Sequence, residues 1–312
     1  MHIRPAVEAD YPRLVTIINQ THIRQFTLEE FRAELTHSAG QGPVCLLVTE
    51  VEGEIPGYGM LSRGPWLPPG GFYISVRVDP ARSNQGVGSA ILRALEEQAV
   101  AWGGSMAEVG VRDHRPDWLA FAEKRGYWLK EHFSNSELDL ATFDPEPFRP
   151  MVTQAEGRGY RFVTMADLPV EEAQRRFYEL DMECSQDEPD KGPDWQPIDY
   201  EEYRADAFAP DRYDPKGVVV ALKDGEWAGV SGCHFPPGRQ HAWVMFTGVR
   251  RPHRGHGLAQ ALKLLACEYV RSRGDYPMIA TGNHVRNAPM LAVNQKFGFA
   301  PTPGSYILRK NL

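Results

Sequence analysis

Val249-Arg250-Arg251-Pro252-His253-Arg254-Gly255-His256-Gly257-Leu258-Ala259 joins a strand-like run directly to a long helical segment. The first N–H groups of a helix have no intrahelical partner, and its dipole end there is positive. Phosphates bind readily at such a place. Small residues at 255, 257 and 259 let a pyrophosphate approach the backbone, and Arg251 and Arg254 add positive charge. A Gly-bearing turn that only changes direction has the same local pattern, so the surroundings decide.

Those surroundings repeat. Val249 lies 171 positions after Val78, Gly257 lies 171 after Gly86, and Gly298 lies 172 after Gly126. Each unit opens alike, with Ile3-Arg4 before Ala9-Asp10 and Tyr160-Arg161 before Ala166-Asp167. Hairpin signals recur at Gly53–Gly57 and Gly225–Gly229, and Pro-Pro-Gly turns at Pro68–Gly70 and Pro236–Gly238. Asp167 is only 157 positions after Asp10, so the second unit carries extra residues within 170–215. An ordered series of this kind marks an internal duplication.

Alternating apolar residues predict strands at 44–51, 58–62 and 73–78, and again at 218–222, 229–234 and 241–249. Ile91, Leu95, Ala99 and Trp102, and in the second unit Leu258, Leu262, Leu265 and Tyr269, each form one face of a helix. The expected class is mixed α/β, with a mostly antiparallel sheet and flanking helices. The expected domains are 1–145 and 158–312, with the Pro- and Gly-bearing stretch 146–157 as linker.

Composition narrows the function. The chain has 312 residues, 42% of them hydrophobic, and a net charge of −7. That suits about two packed domains and argues against a nucleic-acid partner, which calls for a basic surface. No apolar run is long enough to span a bilayer, and MHIRPAVEAD holds no signal core; a cytoplasmic protein is expected. Cys45, Cys184, Cys233 and Cys267 form no CxxC pair, so they are read as small hydrophobes, with no metal site.

The 249–259 segment resembles the pyrophosphate-binding motif of the GNAT N-acetyltransferase superfamily. Val249, Arg254, Gly257 and Ala259 fill the pattern, with Gly255, His256 and Leu258 between them. Asn287, Asn294 and Gly298-Phe299, with Thr281-Gly282-Asn283, look like the later part of that site. The first unit matches through Val78, Gln85, Gly86, Val87, Gly88 and Ser89, but Ser83 stands where the pattern has Arg or Gln. In layout the chain is similar to tandem GNAT proteins such as the mycothiol synthases. The resemblance implies two tandem acyl-CoA N-acyltransferase domains, acetyl-CoA as co-substrate, and acetyl transfer to a primary amine of a small molecule or peptide. The C-terminal domain is the better preserved. The competing reading is a non-catalytic acyl-CoA-binding sensor or scaffold. It draws on the positions where the family commonly has an acidic Tyr, which here hold Asn294 and Ala122.

An amine must lose a proton to attack a thioester, so a carboxylate or imidazole is sought. Glu183, Asp187 and His241 are the candidates in the second unit, Glu183 first; Glu108 and Asp79 are weaker ones in the first. His253 and His256 are placed as phosphate neighbours. The stretch from Asp181 to Asp206 is crowded with acids, including Asp190 and Asp194, and could attract a cationic amine. Trp195, Tyr200, Tyr203 and Phe208 within it suit either a pocket lining or a buried helix face.

Overall fold

A computed structural model describes residues 1–21, 25–64, 66–189, 191 and 195–312. In chain order the elements are β1 His2–Pro5, α1 Tyr11–Thr21, α2 Leu28–Gln41, β2 Cys45–Val51, β3 Glu54–Ser62, β4 Gly71–Val78, α3 Val87–Ala101, β5 Met106–Arg112, α4 Pro116–Glu123 and β6 Trp128–Asp139. There follow α5 Arg149–Gly157, β7 Arg161–Thr164, α6 Val170–Ser185, α7 Tyr200–Ala207, β8 Tyr213–Lys223, β9 Glu226–His234, β10 His241–Val249, α8 Leu258–Arg273, β11 Met278–His284, α9 Ala288–Lys296 and β12 Ala300–Asn311. The mixed α/β class and the duplicated order are as expected.

The chain divides into two compact units, residues 1–131 with 306–312, and residues 132–305. In the first unit the strands run β1-β2-β3-β4-β5-β12; in the second they run β7-β8-β9-β10-β11-β6. The outer strands of each sheet, β1 to β4 and β7 to β10, pair antiparallel, while β4 with β5 and β10 with β11 are parallel. The hairpins turn on Glu52-Gly53 and Asp224-Gly225, all four with positive φ. That conformation matches the right-handed twist of the flanking strands.

The units differ from the sequence repeat in their last strands. The repeat pairs 128–139 with the first domain and 300–311 with the second. In the structure, Phe133–Asp139 lie antiparallel to β11, while residues 306–312 complete the first unit. Leu308 is fully buried there among Leu61, Ile74, Ile91 and Val109. Arg309 donates to Glu108 at 2.6 and 3.0 Å, and Lys310 meets both oxygens of Glu96 at 2.9 Å.

Residues 146–157 are not an extended linker. A short turn, Glu146–Phe148, leads into α5, which packs on α8. Phe148, Val152 and Ala155 recur at helical spacing, and Phe148 stacks on Phe297 at 3.9 Å. Pro147 and Pro150 fall in first turns, where a missing N–H costs nothing. The prolines of this stretch mark a helix start.

The second unit's core lies on both faces of its sheet. Leu264, Cys267 and Val270 of α8 pack on Ile279, while Phe177 and Leu180 of α6 pack with Val218, Val220 and Val230. Because Leu308 seals the first unit from the chain's far end, Leu308→Ala should destabilise that unit by about 2–5 kcal/mol, the usual cost of a buried Leu truncation. Urea unfolding followed by a first-unit tryptophan reporter checks this, and an unchanged midpoint would contradict the assignment of 306–312 to that core.

Candidate active site

In the second unit β10 and β11 run parallel for three pairs, His241–Met278, Ala242–Ile279 and Trp243–Ala280. Beyond Trp243 the strands leave the ladder. Pairing of β10 with β9 skips at this point, from Val244–Cys233 to Phe246–Gly232. Met245 is therefore a bulge residue. A bulge breaks the local ladder and re-aims the backbone, and this one falls just past the last β10–β11 pair.

The first unit has the same register, Gly71–Met106 through Ile74–Val109, but one more pair. Pairing of β4 with β3 is continuous from Gly57–Val78 to Ser62–Tyr73. Aligned on the parallel ladders, Met245 is one residue more than β4 possesses. The buried Tyr73 hydroxyl also accepts from the Gly110 N–H, just where the ladder ends. That tie holds β5 to β4. In the second unit Trp243 takes the place of Tyr73, and its side chain remains 42% exposed.

Beyond the C-terminal end of β10, and likewise of β4, lies the loop read from the sequence. Gly255 and Gly257 have φ +80 and +76, and α8 starts at Leu258. In the first unit Asn84 and Gly86, with φ +62 and +83, precede α3. Asn is the side chain that best tolerates this left-handed region, so the loop shape survives where the sequence differs. A Cβ at Gly255 would meet nothing within 4 Å, so its outer side is open to a ligand.

The charges are arranged differently from the expectation. Arg254 donates from Nε to the Val249 carbonyl at 2.7 Å and from Nη1 to Asp187 at 2.6 Å. Arg251 also holds Asp187, with Nε at 3.1 Å. These two guanidiniums pull the Asp187 carboxyl down to about 2. Such an acid is a poor proton acceptor at neutral pH, and Asp187 acts as a clamp on the loop. Glu183 lies 3.1 Å from Arg250 at the start of the same loop. His241 stands at the closed end, its Nε2 3.0 Å from Glu137 of β6. The three base candidates are thus not one cluster.

His253 points away from the loop mouth, its Nδ1 2.9 Å from the Tyr160 hydroxyl. Burial and the nearby Lys223 lower its pKa, which keeps the ring neutral. The His256 carbonyl accepts from Arg158 at 3.2 Å. Asn287 caps α9 by accepting from the Met290 N–H at 3.3 Å. Of the first-unit candidates, Glu108 is held by Arg309 and Lys130, and Asp79 by Arg13 at 2.6 Å. Both are centres of ion pairs in the first unit. In the acidic stretch Asp199 caps α7, Asp206 pairs with Arg212, and Asp181 accepts from Tyr203 and Ser185. Asp190 and Asp194 lie outside the described residues. Tyr203 and Phe208, with the partly buried Trp195, pack in the α6 core, while Tyr200 meets Tyr178 edge to face.

Two residues of the region gave no sequence signal. Arg125 reaches Ser89 at the start of α3 and stacks on Phe121; its partners are 36 and four positions away. Lys263, on the apolar face of α8, is only 2% exposed. Its Nζ donates to Asn294 Oδ1 at 2.6 Å, and Asn294 Nδ2 donates to Asn283 Oδ1 at 2.6 Å. Among the described residues it has no carboxylate partner. No group of metal-binding side chains and no membrane-length apolar helix is found among the described residues.

Burial lowers the Lys263 pKa, the neighbouring Cys267 and Cys233 opposing this weakly. Burial also pushes the Cys267 thiol up to about 12. A lysine whose pKa is lower in the fold than in the unfolded chain makes stability rise with pH between the two values, the upper one about 10.4. Lys263→Met should therefore gain stability relative to the parent as pH is lowered below about 10. Parallel denaturation curves below that pH would contradict a lysine pKa lowered by burial.

Comparison with known proteins agrees with this geometry. The acetyltransferase (GNAT) family model matches residues 11–127 and again 174–299. A mycothiol acetyltransferase of Amycolatopsis mediterranei is 31% identical over 274 residues, covering 81% of this chain and 80% of the relative. One of Nocardia farcinica is 26% identical, covering 82% and 79%. A tandem GNAT protein from the clavulanic acid biosynthesis pathway has a similar fold, with TM-score 0.74 at 22% identity, covering 99% of this chain and 98% of that one. A GCN5-related N-acetyltransferase of Sphaerobacter thermophilus superposes with TM-score 0.76 at 20% identity, covering 99% and 95%.

Proposed function

The chain belongs to the GNAT family of acetyltransferases, and from that premise we propose that its second unit transfers an acetyl group from acetyl-CoA to a primary amine of a small molecule or peptide. The observation that carries this reading is the bulge at Met245 beside the opening between β10 and β11. The pyrophosphate would lie on the 254–259 loop, against the N–H groups that start α8 and beside Arg254. Val249 and Leu258 would form the loop's buried footing, and Asn287 and Asn294 would lie farther along the opening. The thioester would reach the narrow end, where an N–H of the bulge polarises its carbonyl as the oxygen gains charge.

The amine nitrogen attacks the carbonyl carbon, and the C–S bond then breaks. A thiolate with a pKa near roughly 8.5 is a tolerable leaving group, so the absence of a Tyr at 294 is not disabling. We assign the proton-accepting role to His241. Its Nε2 faces Glu137, which leaves Nδ1 as the acceptor; His241 lies about 13 Å along β10 from the Met245 bulge, so the amine's proton would reach it along a chain of waters. Glu183 and Asp187, bound to arginines at the phosphate end, fit a structural role better.

The first unit is proposed as a degenerate copy. Its loop, with Val78, Gln85, Gly86, Val87, Gly88 and Ser89, keeps the shape for a CoA phosphate, but β4 lacks the bulge. The domain boundaries 1–145 and 158–312 are proposed as the limits of the ancestral duplication, distinct from the compact units formed on folding.

Thiol release with acetyl-CoA, measured against amines, amino acids and aminoglycosides, tests the activity. Gly255→Trp, on the open side of the loop, should abolish acetyl-CoA binding to the second unit in calorimetry. His241→Gln should lower kcat/KM by about 10²-fold with acetyl-CoA affinity intact, while Glu183→Gln stays close to the parent. The reverse order would place the proton acceptor on α6.

A further inference from the structure

Lys263, Asn294 and Asn283 form a linear chain of side chains in the second unit, and its direction is set at the lysine end. Lysine can only donate a hydrogen bond, here from Nζ to Asn294 Oδ1 at 2.6 Å, which commits the other end of that carboxamide, Nδ2, to donate. It donates to Asn283 Oδ1, also at 2.6 Å. Asn283 Nδ2 therefore becomes the terminal donor, and it has no partner among the described residues. Lys263 and Asn294 are both 2% exposed, whereas Asn283 is half-buried.

The chain ends at a definite level of the opening. Asn283 lies three residues beyond Ala280, the last β11 residue in the parallel ladder, or about 10 Å along the strand. The bulge at Met245 lies about 7 Å beyond Trp243 on the other side. The phosphate loop begins past Val249, about 20 Å from the same point. Along the strands Asn283 is thus level with the Met245 bulge rather than with the phosphate loop. Retaining a fully buried lysine without a counter-charge costs stability, and a hydrophobe would fill the same space on α8.

We propose that Lys263 is a positioning residue that orients the Asn294 and Asn283 carboxamides so that Asn283 presents an N–H to the acyl–pantetheine end of the bound co-substrate. The inference rests on the acetyl-CoA reading above. Lys263 itself touches no ligand; it acts by fixing which end of each amide faces the opening. Without it, Asn294 is free to rotate its carboxamide, and the terminal donor loses its direction.

Calorimetry with two probes separates the ends of the site. Acetyl-CoA spans the whole opening, and adenosine 3′,5′-bisphosphate carries only the phosphate-end chemistry. Lys263→Met should weaken acetyl-CoA binding about tenfold, the scale of one lost hydrogen bond, and leave the bisphosphate unchanged. Lys263→Gln, which keeps a donor, should recover most of the loss. Asn283→Ala should reproduce the Lys263→Met effect, and the double variant should add nothing to either. Unchanged acetyl-CoA affinity in Lys263→Met and Asn283→Ala overturns the proposal, as does an equal loss for both probes or full additivity. Failure of the parent to bind acetyl-CoA at all overturns the underlying functional reading instead, and is seen before any variant is made.

Discussion

Two parallel strands that share a ladder for three pairs and then separate are the constraint on which the second unit depends. Strands in a sheet normally stay about 4.8 Å apart because every ladder bond holds them there. Parting them leaves donors and acceptors without partners, and such groups are costly unless something else meets them. The unit answers with a bulge at Met245 on one strand and a carboxamide chain beside the other. It answers beyond β10 with a helix whose first N–H groups are likewise unpaired.

The first unit shows what happens when the same frame is closed. Its parallel ladder has the same register and runs one pair further, its strand has no bulge, and the Tyr73 hydroxyl meets the Gly110 N–H at the fork. Yet its loop retains both left-handed positions, with Asn84 in place of a glycine. Loop conformation and strand separation are therefore independent in this fold. The former needs only residues that tolerate positive φ, while the latter requires an inserted residue in the strand.

Charge in the second unit works through pairs, not patches. The acids that crowd 181–206 in the sequence are mostly committed: Asp199 to a helix cap, Asp206 to Arg212, Asp181 to Tyr203 and Ser185, and Asp187 to the two arginines of the loop. Exposed pairs of this kind contribute little stability singly, about 0–1 kcal/mol. Their value here is geometric, since Asp187 and the Val249 carbonyl together fix where Arg254 points.

The sequence alone determined the duplication, the α/β class, most strand positions and the two loops ahead of α3 and α8. Those features are written in local periodicity, in Gly and Asn at positive φ, and in constant offsets between copies, all of which act over a few neighbouring residues. It did not show that 146–157 is helical, because prolines that open a helix look like those that break one. Tertiary structure alone decided which strand completes which unit, since an edge accepts any strand of suitable pattern and Leu308 reaches a core some 200 positions away in the chain. It alone paired His241 with Glu137, set Asp187 against two arginines, and buried Lys263 behind Asn294. Each of those groups owes its chemistry to a partner far off in sequence, and the distance that matters between them is measured only after the chain has folded.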